Sequence, residues 1–415
     1  MALFPTGHAT HPEWEMAAQL TLAQLRAQMT LPGYASDPSL GLMYFSSDYA
    51  PHARHILHWL AHALPGVQGW AGCVGVGVMG GYAEYIDEPA LSVMLCDLPI
   101  SQWRVFSGQA PLGNGFRPHS ALVHADGNTP DLDELVSELG ARTTHGLFGG
   151  LRASRRQNVQ VAATRTGIAH GPGALHGGVF SGGLTGVAFA PGASLITQVA
   201  HGCELRGPAH LITHCEGDAI VELDGEPALD VMLDDLHASM CQPCHSVNQQ
   251  HALVALGPAE AGFAARQRGC LDARMQVRPL TGLDVAARSL NVAARPQPGQ
   301  SLLFCQHSAR VARADLMRAC TEIREQLESE PLPVDAASAP AAPAAFAQPA
   351  RRMVGAVYVS CASRGSEHFD QAGAQIQLLR QALGEVPLTG FFAGGEIAGA
   401  HLHGYTGVLT VFASS

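Results

Sequence analysis

Charge is what this 415-residue chain has least of: Asp, Glu, Lys and Arg make up only 14% of it, and the formal net charge is −11. An acidic balance with no local Lys/Arg block repels phosphate backbones and anionic lipid, which excludes nucleic acid and membrane surfaces as partners. Long apolar runs are also missing. The most apolar Gly-rich stretch, Gly69 to Gly80, is about half of the ~20 residues a spanning helix needs, so no membrane insertion is expected. Met1-Ala2-Leu3-Phe4-Pro5-Thr6-Gly7-His8 carries no basic region followed by an apolar run, so no secretory signal is visible and a cytoplasmic address is the expectation. Without secretion, ten cysteines read as buried reduced thiols and not as a disulfide framework. No Gly-x-Ser-x-Gly, P-loop or His-Glu-x-x-His run occurs and no carboxylate pair stands out as acid and base, so the chain is expected not to be an enzyme.

What is present is an ordinary interior-forming fraction, 47% hydrophobic, in a chain long enough for two or three domains. Trp14, Ala18, Leu22, Leu25 and Met29 recur at helical spacing, predicting an amphipathic helix over 13–29. A short apolar run at 40–45 predicts a strand, and 48–64 a helix with Pro51 in its first turn. Strand-like runs follow near 69–78, 91–95, 120–124, 159–163, 184–189, 195–199, 211–213 and 219–223, with helices at 132–139 and after Pro227. Leu316, Cys320, Ile323 and Leu327 mark a late helix that Pro331 and Pro333 stop. Residues 331–350 are almost wholly Ala, Pro and Ser, predicting a flexible insertion. A strand at 354–360, a helix at 369–383 and a strand at 406–412 complete an α/β chain of mixed sheets covered by helices.

Two C-terminal segments carry a resemblance. Cys361-Ala362-Ser363-Arg364-Gly365 forms a Cys-x-x-Arg-Gly turn after a strand, and Gly390-Phe391-Phe392-Ala393-Gly394-Gly395-Glu396-Ile397 precedes His403-Gly404-Tyr405-Thr406-Gly407. They resemble the C-terminal domain of the FIST family. Gly41-Leu42, Gly72-Cys73 with Gly75 and Gly77, Glu88-Pro89-Ala90-Leu91, Leu147-Phe148-Gly149-Gly150-Leu151 and Gly183-Leu184-Thr185-Gly186-Val187 are similar to its N-terminal domain. The resemblance implies two closely packed α/β modules, at 38–230 and 231–415, after an N-terminal segment 1–37 with the first helix. It also implies a sensory role in signal transduction with a small ligand, amino acids among those proposed; the alternatives are a haem-binding nitric-oxide or gas sensor, as some members are, and, from Cys241, Cys244 and a row of helical histidines, a metal- or thiol-dependent enzyme. No kinase, cyclase or F-box segment is attached, so a separate signalling partner protein is expected.

The chemistry of the matching residues suits a zwitterion. Arg364 after a small thiol-bearing turn can hold a carboxylate in its planar fork, Glu396 beside Gly394 and Gly395 can pair with an ammonium, and Cys361, Gly365, His403 and Tyr405 would line the wall and rim. The bland alternative is an internal Arg364–Glu396 ion pair. Histidines in the same segment, His401 and His403, are the natural axial ligands if haem is bound. His52, His55, His58 and His62 fall on one predicted helix, the last three along a single arc, which can chelate a transition metal but fits a polar flank more simply. Cys241-Gln242-Pro243-Cys244-His245 matches Cys-x-x-Cys-His, yet covalent haem needs export and a redox pair needs a helix start after a strand; incidental cysteines are the simpler reading, with a zinc site shared with Cys203 or Cys215 as the alternative. Gly72, Gly75 and Gly77 fail the dinucleotide spacing, and Gly-x-Gly alternation instead thins a strand that packs against another backbone.

Overall fold

Leu40–Ser46, Ser120–Asp126 and Met353–Cys361 are buried along nearly their whole lengths, as strands covered on both faces must be, and each leads a parallel pair. A computed structural model describes residues 2–113, 115–165, 175–240, 252–271, 273–329, 351–364, 369, 371 and 373–414. The expected insertion at 331–350, Gly365, and Cys241, Cys244 and His245 lie outside the described residues.

Around each parallel pair the chain repeats one pattern. The first repeat is β1 (Thr6–Thr10), α1 (Trp14–Met29), β2 (Leu40–Ser46), α2 (Ala53–Ala63), β3 (Gly69–Gly75), the hairpin β4 (Gly77–Gly80) and β5 (Ala83–Ile86), then β6 (Ala90–Cys96). The second is β7 (Trp103–Ser107), β8 (Ser120–Asp126), α3 (Leu132–Ala141), β9 (Leu147–Arg152), the hairpin β10 (Gln160–Arg165) and β11 (Leu175–Phe180), then β12 (Leu184–Phe189). The third begins with β13 (Leu195–His201) and is interrupted by an insert: β14 (Cys203–Glu216), β15 (Ala219–Leu223), β16 (Glu226–Pro227), α4 (Ala228–Met240), β17 (Ala252–Pro258), α5 (Ala259–Arg268), β18 (Gln276–Asp284), β19 (Ser289–Val292) and β20 (Gln300–His307). It resumes with α6 (Ala309–Ser329), β21 (Met353–Cys361), α7 (Ala374–Leu383), β22 (Leu388–Ala393), the hairpin β23 (Glu396–Gly399) and β24 (His401–His403), and β25 (Thr406–Ala413).

The three sheets share one order: β1-β6-β2-β3-β10-β11, β7-β12-β8-β9-β23-β24 and β13-β25-β21-β22-β4-β5. In every case the last two strands are the hairpin of a different repeat. The first repeat lends its hairpin to the third, the second to the first, and the third to the second, a closed ring of exchanges. The registers agree residue for residue: Met43 pairs with Gly72, Val123 with Gly149 and Tyr358 with Gly390. At each of these glycines a Cβ would lie 1.7, 2.0 or 1.8 Å from the carbonyl oxygen of its partner. Gly75 likewise leaves no room, its Cβ falling 2.5 Å from the Gly77 oxygen, so the alternating glycines do thin a strand against neighbouring backbone.

Inner faces of the three sheets meet in one core. Tyr44 and Cys73 of the first repeat, Leu122 and Phe148 of the second, and Val357, Val359 and Phe391 of the third belong to it. Near its centre Tyr44 stacks on Phe391 at 4.9 Å and its hydroxyl meets His124 Nε2 at 3.2 Å. Burial drives His124 down to about 3, so it is a neutral imidazole there. The outer faces are covered in part by helices. Leu22 and Leu25 of α1 with Ile56, Leu57 and Leu60 of α2 cover the first sheet, and Leu316 and Ile323 of α6 with Ile376 and Leu379 of α7 cover the third. The second repeat has only α3, through Leu132 and Val136, because a loop replaces the helix between its first two strands. The insert forms a separate antiparallel sheet, β14-β20-β17-β18-β19-β15-β16, covered by α4 and α5.

The division expected near residue 230 is not a break between sheets, because hairpin exchange places strands from both sides of that point in the second and third sheets. One contact fastens the exchange. Glu84, on the lent β5, accepts hydrogen bonds from the Gly373 and Ile376 backbone N–H groups at 3.3 and 3.0 Å, capping α7 of the third repeat. Desolvation raises its pKa and those N–H groups pull it back. Glu84→Ala is expected to lower stability by about 1–2 kcal/mol in urea unfolding, with Glu84→Gln recovering part of it. An unchanged midpoint for Glu84→Ala would contradict the cap.

Candidate functional site

Cys361 ends β21, the leading strand of the third parallel pair, and Ala362–Arg364 turns away from it in a short 3-10 turn. The carboxyl ends of parallel strands are where open α/β sheets gather ligands, because chain leaving the sheet there exposes backbone groups. Around this end stand Glu396 of β23, Thr406 at the start of β25, His403 of β24 and His201 at the end of β13.

Glu396 is fully buried. Its Oε2 accepts hydrogen bonds from the Thr406 backbone N–H at 3.1 Å and the Thr406 hydroxyl at 2.6 Å. Oε1 has no N–H or O–H partner among the described residues, and the weak S–H donor of Cys361 lies against the carboxyl. Desolvation pushes Glu396 up to about 8, against the pull of Thr406, the Arg364 charge and the thiol. Burial first, then the neighbouring carboxyl, push Cys361 up to about 12; Ser363 Oγ at 2.9 Å and the Tyr405 backbone N–H work the other way. At neutral pH this is a neutral acid beside a neutral thiol.

Arg364 is also fully buried. Its Nη1 donates to the Ala200 carbonyl at 2.6 Å, and the guanidinium lies over the Phe369 ring at 5.3 Å from the centroid. Nε and Nη2 find no acceptor among the described residues. Its own carbonyl is held by Gln375 Nε2 at 3.0 Å, and Gln375 Oε1 in turn accepts from Tyr358 and Ser360 at 2.8 and 2.7 Å, which fixes the turn. No Arg364–Glu396 ion pair forms among the described residues, so the internal pairing that would have made both groups purely structural is not what buries them.

His403 lies opposite Glu396 across the β23–β24 hairpin and is 1% exposed, not at a rim as expected. Burial first, then His201, Arg278 and His401, hold it well below the ordinary imidazole value. The His201 ring is 6.0 Å away. Tyr405 is half-buried, with a left-handed backbone (φ 58°) that turns the hairpin back into β25. Gly394 is exposed, and with Gly395 it exchanges backbone hydrogen bonds with Leu151 at 2.9 and 2.7 Å, so these glycines join two repeats. Sequence reasoning missed His201, Arg278 and Asp315, whose Oδ2 accepts the His201 N–H at 2.5 Å; they stand tens of residues from the motif, and only the fold brings them in.

His55, His58 and His62 point to solvent along α2, beside its buried Ile56, Leu57 and Leu60, as a polar flank does. No group of three metal-ligating side chains occurs among the described residues. For haem the question is whether an imidazole faces open space. His201 and His403 are sealed, at 2% and 1% exposed, and His401 is at the surface, so a macrocycle would have to displace packed side chains to reach either buried ring. Neither buried ring is open to a macrocycle in this packing.

The internal repeat identifies what is unusual here. By register, Glu396 occupies the place of Val78 in the first repeat and Gln160 in the second. Gln160 Nε2 bridges to the Gly182 and Gly183 carbonyls at 2.9 and 3.0 Å, and Gly183 corresponds to Thr406. A neutral amide or an aliphatic side chain thus serves the same position elsewhere, so the fold does not require a carboxyl at 396.

Comparison with known proteins agrees along the chain. The FIST N domain matches residues 39–226 and the FIST C domain residues 228–399. An uncharacterised protein of Mycobacterium tuberculosis, Rv0628c, is 25% identical over 428 aligned positions covering 98% of each chain. One of Mycobacterium bovis, Mb0898c, is 26% identical over 424, covering 98% of this chain and 97% of its own. No helix among the described residues is long and apolar enough to cross a membrane.

Proposed function

The chain belongs to the FIST family of sensory domains, and on that premise we propose that it is a receptor that binds a small zwitterion, such as an amino acid, between Arg364 and Glu396. It performs no chemistry on the ligand and passes its state to a separate partner protein. The observation that carries this reading is the half-satisfied buried carboxyl of Glu396, in a position where the other two repeats do without charge. Burying such a group costs free energy, and cost of this kind gathers at sites kept for binding. Arg364, whose Nε and Nη2 find no acceptor among the described residues, offers the complementary fork for a carboxylate. Cys361 and His403 supply an uncharged wall. Because both head groups are buried, binding requires the packing around them to open.

A thermal-shift screen of amino acids and related amines tests it. Ligand is expected to raise the melting temperature of the wild type and not of Arg364→Lys, which keeps the charge and loses the fork. Calorimetry in buffers of different ionisation enthalpy adds an independent signature: at pH 7 an ammonium that ionises Glu396 releases close to one proton per ligand, since a group at about 8 is mostly protonated there. Equal shifts in wild type and Arg364→Lys, or binding without proton release, would place the ligand elsewhere.

A further inference from the structure

Every one of the 24 Lys+Arg positions is Arg, and acids outnumber them at 35. Several arginines meet no carboxylate among the described residues, and in one cleft three arginines converge. It lies where the insert meets α6, encloses about 410 Å³, and is lined by Arg266 at the end of α5, Arg310 and Arg318 of α6, Glu204 of β14, Asp315 and Cys270. Arg266 has no ion-pair partner among the described residues. Arg310, 80% exposed, reaches Glu204 only at 3.9 Å, and Glu204 is shared with Arg206 at 3.5 Å. Arg318 alone is matched, by Asp315 and Glu322 at 2.6 Å each. Asp315 is engaged on both oxygens, Oδ1 by Arg318 and Oδ2 by the His201 N–H.

We infer that this cleft is a second binding site, for a small dianion of the phosphoryl or dicarboxylate type, clamped between Arg266 of the insert and Arg310 of α6 with Arg318 beneath. Planar forks from two elements match two oxygens each, and the three arginines of the lining outnumber its two carboxylates, Glu204 and Asp315, which leaves positive charge for an anion to neutralise. Glu204 is the internal competitor that the ligand displaces from Arg310. The cleft's lining includes neither Glu396 nor Arg364, though Asp315 touches both places, and the inference does not depend on their role.

The test is isothermal calorimetry at fixed ionic strength with inorganic phosphate and with succinate, chloride serving as the control. Phosphate or succinate is expected to bind the wild type, and the double variant Arg266→Ala/Arg310→Ala, both surface changes, to bind it at least about tenfold more weakly. Glu204→Gln is expected to bind more tightly than wild type by freeing Arg310. Which anion binds better assigns the ligand class. Glu396→Gln must retain wild-type affinity, so failure of the receptor reading leaves this one standing. Binding of either anion to the double variant at wild-type affinity, or no binding of either to the wild type below about 10 mM, would overturn it.

Discussion

Replacing Glu396 by Gln is expected to flatten the dependence of stability on pH and to make the protein more stable than wild type above pH 8. Glu396 is held at about 8 in the folded chain against 4.5 for the free group. A raised folded value means that the folded state holds the proton more tightly. The stabilisation is complete below about 4.5, declines through the window 4.5–8, and is gone above the folded value. A tenfold change in proton affinity is worth about 1.4 kcal/mol, so the wild type is expected to lose on the order of several kcal/mol across the window. Gln keeps the acceptor for Thr406 and carries no charge, so its stability is expected to stay level. The measurement is a set of urea unfolding curves from pH 5 to 9. Parallel decline of both proteins would mean that the carboxyl is already ionised in the folded state, and Glu396 would not be a buried neutral acid.

Alanine at Gly149 or Gly390 is expected to leave little or no folded protein. The added carbon would stand 2.0 Å from the Val123 oxygen or 1.8 Å from the Tyr358 oxygen, and the obstacle in both cases is backbone of the adjacent strand. Gly149 adds a left-handed backbone, φ 136°. A parallel pair forced apart disturbs the core shared by all three repeats, so the cost is set at roughly 4 kcal/mol or more. Gly108→Ala and Gly113→Ala, where nothing lies within 4 Å, are the controls and are expected to stay within about 0.5 kcal/mol of wild type. Soluble expression and the urea midpoint decide it: a wild-type midpoint for both Gly149→Ala and Gly390→Ala would show that the strand pairs can separate at no cost, and the repeat glycines would lose their physical meaning.

Local order was legible without any structure. Apolar periodicity located α1, α2, α3 and α6 and roughly half of the described strands, because each of these segments buries one stripe or both faces and its composition records that. The helix expected at 369–383 begins only at Ala374, since the capping groups that start it come from Glu84, far away in the chain. The motif at 361–365 and 390–407 pointed to the family and brought Cys361, Arg364 and Glu396 forward as candidates. Nothing in it gave the burial of His403 or the company of His201 and Arg278.

What the sequence determined by itself is the α/β class, the family, and the residue types gathered in the C-terminal motif, all of which follow from local pattern. Only the tertiary structure decided the rest: three repeats around one core, hairpins lent around a ring, and a carboxyl left half-satisfied where its counterparts are Val78 and Gln160. The reason is physical. A strand's register and its partner are chosen by contacts across hundreds of residues, and the repeats share backbone geometry while keeping almost no side chain in common beyond the glycines that let their strands approach.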